Sequence, residues 1–213
     1  MRRPFDGRLC LVTDRRLAGG RPLEDVILKA VHGGATAVQL REKSASNREF
    51  VELARAIKAL LRPLSVPLII NDRVDIALAA QAEGVHVGQS DMEVPDVRLL
   101  MGPAAIVGLS VESVAQAEAA ARLDVDYLGV GPVFSTTSKA DAAPALGLEG
   151  LSAICSCSPH RLLAIGGIQV ENAAEVLAHG ANGLAVVSAI CAAPDPESVA
   201  RQLRSIVDAK VSR

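Results

Sequence analysis

Short apolar runs recur along the chain, each closing on small or polar residues and usually followed by a stretch with helical spacing. They occupy residues 9–14, 37–43, 67–72, 84–91, 106–110, 126–139, 162–168 and 183–189. A strand pattern followed by a helix pattern, repeated, is how a parallel sheet with crossover helices reads in sequence. Eight repeats predict closure into a barrel. The expected fold is α/β, a single (β/α)8 TIM barrel over residues 1–213 with its core at about 9–207. In such a barrel the reactive face lies at the carboxyl ends of the strands, and here the polar residues collect at those ends.

Between the runs, residues 22–32 begin with Pro22, Glu24 and Asp25 and stop at Gly33-Gly34, the polarity expected of helix caps. A second helix is predicted over 47–61, with Asn47 as N-cap and Phe50, Leu53, Ala54, Ile57, Leu60 and Leu61 on one face. Further helices are expected at 73–80, 95–101, 112–122, 147–156, 170–178 and 195–208. HGGATAV at 32–38 and HGANGLAV at 179–186 each use glycine to end a helix before a strand. The crowded segment 132–146 is long enough for a lid over a site.

Composition refines this picture. Half the residues are hydrophobic but only 2% aromatic, so Val, Leu, Ile and Ala must fill a sheet buried on both faces. A formal charge of −2 argues against a broad nucleic-acid surface while leaving room for a local anion pocket. Cys10, Cys155, Cys157 and Cys191 form no C-x-x-C pair and are expected as free thiols. MRRPFDGRLC lacks an apolar core, and no run is long enough for a bilayer, so a soluble cytoplasmic protein without membrane contact is expected.

The strand ends hold the candidate chemistry. Alternation places Gln39 and Arg41 on one side of the second strand, with Lys43 following if extended geometry persists. An amide and two cations suit a polyphosphate, because Arg grips phosphate oxygens in pairs and Lys adds a compact charge. Taken alone, the segment reads more readily as a solvated charged turn with Glu42 neutralising its neighbours. Asn71 and Asp72 end the third strand and Asp91 follows the fourth. Two carboxylates from adjacent strands suit Mg2+, although Asp72 also fits a helix cap and Asp91 a turn. Ser110 ends the fifth strand, and Thr136, Thr137, Ser138 and Lys139 lie in the sixth loop, where phosphate binding and plain loop composition both remain open. Gly166-Gly167 and Val187-Ser188 occupy the two loops with which barrels often hold a phosphate. His86 reads as a core residue or one facing the mouth. No Ser/His/Asp order or G-x-S-x-G elbow is present.

In order, LVTD, VQLREK, IIND, GVHVGQSD, DYLGVGPVF, AIGGI and VVSAI resemble the thiamine-phosphate synthase family, also called thiamine-phosphate pyrophosphorylase, over roughly 9–207. The resemblance implies a transferase joining hydroxymethylpyrimidine diphosphate to thiazole phosphate, releasing pyrophosphate. It assigns Gln39, Leu40, Arg41, Glu42, Lys43, Asn71, Ser110 and Lys139 to the pyrimidine diphosphate. Thr136, Thr137, Ser138, Gly167, Val187 and Ser188 go to the thiazole phosphate, and Asp72 and Asp91 to Mg2+. Arg41, Lys43 and Lys139, with Mg2+, would stabilise the departing pyrophosphate; the thiazole nitrogen attacks, so no protein nucleophile is needed. Ser138 stands where relatives often carry Thr. Partners would be small molecules, with no nucleic acid, and a homodimer is consistent with the likeness. A thiazole tautomerase-like isomerase and a non-catalytic thiazole-phosphate regulator are the competing readings. The former tends to place a His after the fifth strand, where this chain has Glu112.

Overall fold

The computed structural model describes residues 5–136 and 143–211. Eight parallel strands close on themselves in chain order: β1 (Leu9–Val12), β2 (Ala37–Leu40), β3 (Leu68–Asn71), β4 (Gly84–Val87), β5 (Ile106–Val111), β6 (Tyr127–Val130), β7 (Leu162–Ile165) and β8 (Gly183–Val186). Closure is direct, since Leu9 pairs with Leu184 and Leu11 with Val186. The structure has the (β/α)8 barrel that the repeated pattern predicts.

Around it run α1 (Leu23–His32), α2 (Asn47–Leu61), α3 (Val74–Ala80), α4 (Val94–Met101), α5 (Val114–Ala120), α6 (Gly147–Cys157), α7 (Val170–Ala178) and α9 (Pro196–Val211), with a single turn, α8 (Ser188–Cys191), before the last. None of the described helices is long and apolar enough to cross a membrane. All four cysteines are free thiols.

The strands divide their side chains with period two. Cys10, Val12, Ala37, Ile69, Tyr127, Leu163 and Ala185 pack together inside the barrel. Leu9, Leu11, Val38, Leu40, Leu68, Ile70, Leu128, Leu162, Ala164, Leu184 and Val186 face the helices. Phe5 closes the amino-terminal end, its ring stacked 4.8 Å from that of Tyr127. The small residues of β5 make room for this packing: a Cβ on Gly108 would lie 2.3 Å from the Tyr127 ring and 2.4 Å from His86 Nδ1.

Two local expectations are corrected. Ser46, rather than Asn47, caps α2: its hydroxyl accepts the Glu49 amide at 3.4 Å and Glu49 returns to the Ser46 amide at 2.8 Å. This reciprocal pair satisfies two amides that Asn47, already inside the first turn, does not reach. The run 183–189 also stops being strand at Val186, and the chain turns directly into α8.

Candidate active site

A cavity of about 450 Å³ opens at the carboxyl ends of the strands. Gln39, Arg41, Lys43, Asn71, Asp72, Asp91, Ser110, Thr136, Gly167, Val187 and Ser188 all line it. Segments far apart in sequence therefore meet where the strand-end pattern places them. Leu40 and Glu42 do not line the cavity. Leu40 points to the helix layer, and the Glu42 carboxylate accepts from Lys43 N, Ser44 N and Arg15 Nε at 2.9–3.1 Å, which fastens the β2–α2 loop. Thr137, Ser138 and Lys139 lie outside the described residues.

The basic side is built on β2. Thr13, at the end of β1, donates its amide to Gln39 O at 3.0 Å, and its Oγ1 accepts the Arg41 amide at 3.0 Å. Buried Asp14 lies 3.8 Å from the Arg41 guanidinium. Thr13 and Asp14, which the sequence pattern leaves without a role, thus hold Arg41 at the rim. Gln39 donates through Nε2 to Asn71 Oδ1 at 2.7 Å, joining β2 to β3.

The acidic pair comes next. Asp72 does not cap α3, whose N-cap is Arg73 without a side-chain bond. Instead its backbone is left-handed, with φ of 63°, and its amide donates to His86 O at 2.7 Å. Asp tolerates this conformation better than most residues, and here it swings the carboxylate to Lys43 Nζ, 2.7 Å away. Asp91 closes a turn by accepting the Gly88 amide at 2.7 Å, so its turn role and its place in the cavity coexist. Burial, and then the charge and direct contact of the Asp72 carboxylate, raise Asp91 above the usual carboxylate range; the Gly88 amide and Lys43 pull the other way. Two carboxylates pressed together beside a lysine are a donor set that fits a hard cation. Among the described residues no cluster of three or more His, Cys, Asp or Glu gathers as an all-protein cage. One or two protein carboxylates, completed by water and phosphate, are the ordinary complement for Mg2+.

Opposite lies the glycine side. Gly166 and Gly167 have φ of 100° and 65°, and a Cβ on either would fall 2.5–2.6 Å from Pro132 or Phe134. These clearances let the β6–α6 loop dock on the end of β7, where Phe134 N donates to Gly166 O at 3.1 Å. The first turn of α8 begins at Ser188, and Arg21 fixes its far end by donating to Cys191 O and Ala193 O at 2.7 and 2.6 Å.

His86 settles both of its sequence readings at once. It is 6% exposed, yet lines the cavity floor. Its Nδ1 lies 2.9 Å from Tyr127 Oη and its Nε2 2.8 Å from Ser110 Oγ. Burial lowers its pKa to about 4 and pushes the Tyr127 phenol well above its usual value. The sequence offered no sign that Tyr127 belongs to the site, because that link depends on barrel closure.

The sequence model of the family described as thiamine monophosphate synthase matches residues 9–190. The thiamine-phosphate synthase of Solidesulfovibrio magneticus is 56% identical over 208 residues, covering 98% of this chain and 99% of the relative. That of Albidiferax ferrireducens is 54% identical over 202 residues, covering 95% and 92%. Among solved structures, thiamine phosphate pyrophosphorylase from Pyrococcus furiosus superposes with a TM-score of 0.85 at 39% identity, covering 95% of this chain and 96% of that one.

Proposed function

The chain belongs to the thiamine monophosphate synthase family and is a transferase, and from that premise we propose that it transfers a hydroxymethylpyrimidine group from its diphosphate to the ring nitrogen of thiazole phosphate. The products are thiamine phosphate and pyrophosphate. The observation that carries this reading is the meeting of Arg41, Lys43, Asp72 and Asp91 on one wall of the cavity, opposite Gly167, Val187 and Ser188.

The first wall takes the diphosphate. Arg41 and Lys43 neutralise its oxygens, and Thr13 and Asp14 hold Arg41 in place. Asp72 and Asp91 would hold Mg2+, which when bound supplies countercharge to the diphosphate. Opposite unit charges 4 Å apart attract by about 4 kcal/mol at an effective dielectric near 20, and that attraction grows as the leaving group gains charge. Lys43 is therefore better matched to departing pyrophosphate than to the bound substrate. The amides around Gly167 and the first turn of α8 hold the phosphate of the second substrate. The thiazole ring nitrogen is itself the nucleophile, so the protein supplies position and charge, with no covalent intermediate.

Incubating the purified protein with both substrates and Mg2+ tests this. Thiamine phosphate and pyrophosphate should form in equal amounts, and Asp72→Ala should lower kcat by at least ~100-fold. Absence of product from the unaltered protein would overturn the assignment.

A further inference from the structure

The floor of the cavity holds a hydrogen-bonded chain whose direction is fixed by counting protons. Tyr127 is 1% exposed, and among the described residues its phenol has one hydrogen-bond partner, His86 Nδ1 at 2.9 Å. A buried phenol proton requires an acceptor. Tyr127 therefore donates, and Nδ1 accepts with its lone pair. The imidazole proton must then sit on Nε2, which faces Ser110 Oγ at 2.8 Å and donates to it. Because Ser110 already accepts from His86, its own proton points away from the imidazole, toward the cavity that both residues line.

Packing makes this chain stiff. The Tyr127 ring is stacked on Phe5, and the missing side chain of Gly108 leaves space that a Cβ would take from Tyr127 Oη, 2.5 Å away. Tyr127 also lines the cavity, but the reverse direction would make it accept Nδ1–H and leave the phenol proton without a protein acceptor among the described residues.

We propose that Tyr127 and His86 are positioning residues that fix the Ser110 hydroxyl as a hydrogen-bond donor to the bound pyrimidine diphosphate. The inference rests on the proposed function for the identity of that ligand. It requires the ligand to meet Ser110 with an acceptor, a ring nitrogen or a phosphoryl oxygen. A ligand N–H at that position would meet a second donor.

Two measurements test the proposal. Ring-nitrogen NMR of the ligand-free protein should show His86 as the Nε2–H tautomer, and Tyr127→Phe, which keeps the ring, should release that preference. In steady-state assays Tyr127→Phe should raise KM for the pyrimidine diphosphate roughly 3- to 10-fold, leave KM for thiazole phosphate unchanged, and have no further effect in a Ser110→Ala background. An Nδ1–H tautomer in the unaltered protein would refute the chain, as would an equal KM effect with and without Ser110. If the unaltered protein makes no thiamine phosphate, the functional reading falls, while the tautomer still decides the direction of the chain.

Discussion

Replacing Gly108 by alanine adds one carbon at the point where the barrel interior supports the cavity floor. That Cβ would stand 2.3 Å from Tyr127 Cζ, 2.5 Å from its hydroxyl and 2.4 Å from His86 Nδ1. Ordinary contact lies at 3.4–4 Å, so the rings must retreat by about 1 Å. Neither can turn to solvent: Tyr127 is held by Phe5, and both residues are buried. Overpacking of this kind costs about 1–3 kcal/mol, and breaking the buried Tyr127–His86 bond adds about 1–3 kcal/mol. For a chain of this size each kcal/mol lowers Tm by roughly 2–4 °C, which puts the expected fall at about 4–24 °C. Calorimetry gives Tm, and steady-state assays should show KM for the pyrimidine diphosphate rising in parallel. A Gly108→Ala protein that melts within 1 °C of the unaltered chain, with unchanged KM, would refute the packing argument.

Acid should weaken the fold through His86. Its folded pKa is held at about 4 by burial, against about 6.5 when unfolded. The unfolded state therefore binds more protons between those values, so this stabilisation is complete above about pH 6.5 and is lost as pH falls toward 4, by roughly 3 kcal/mol. Urea titrations from pH 7.5 to 4.5 should show that loss, and His86→Gln should remove most of it; identical slopes would rule it out. Arg98 offers a contrast at the opposite end of the barrel, where it donates to Ala105 O and Asp126 Oδ2, both at 2.6 Å. Arg98→Met should cost about 3–5 kcal/mol by removing the buried guanidinium that bridges Asp126 and the Ala105 carbonyl, lowering the urea midpoint while kcat at 25 °C stays within twofold.

The barrel was legible because its signal is repeated: eight apolar runs, each ended by small or polar residues, leave few alternative topologies. The candidate site was legible for a related reason. A strand end fixes where a side chain emerges, so polar residues at successive strand ends must converge once the sheet closes. What the pattern could not show is which neighbours hold those side chains. Thr13 reaches Arg41 across the β1–β2 pairing, and Tyr127 reaches His86 over Gly108, two strands away. In sequence, Thr13 and Asp14 are merely polar, Tyr127 is another apolar strand residue, and Gly108 is a missing side chain. The alternation that predicts inward-facing residues also cannot distinguish filling from support. Tyr127 does both, packing on Phe5 at one end and directing a proton toward His86 at the other. The same ambiguity covers Asp72, for which a capping role was a sound expectation from Asp before a helix. Its left-handed backbone resolves the question, because that turn removes the carboxylate from the helix amides and delivers it to Lys43. A non-glycine residue in that conformation is sterically costly, and the bond from its amide to His86 O keeps it there. The backbone of β4 therefore places the acidic pair, while the side chain of the same histidine sets the polarity of the floor.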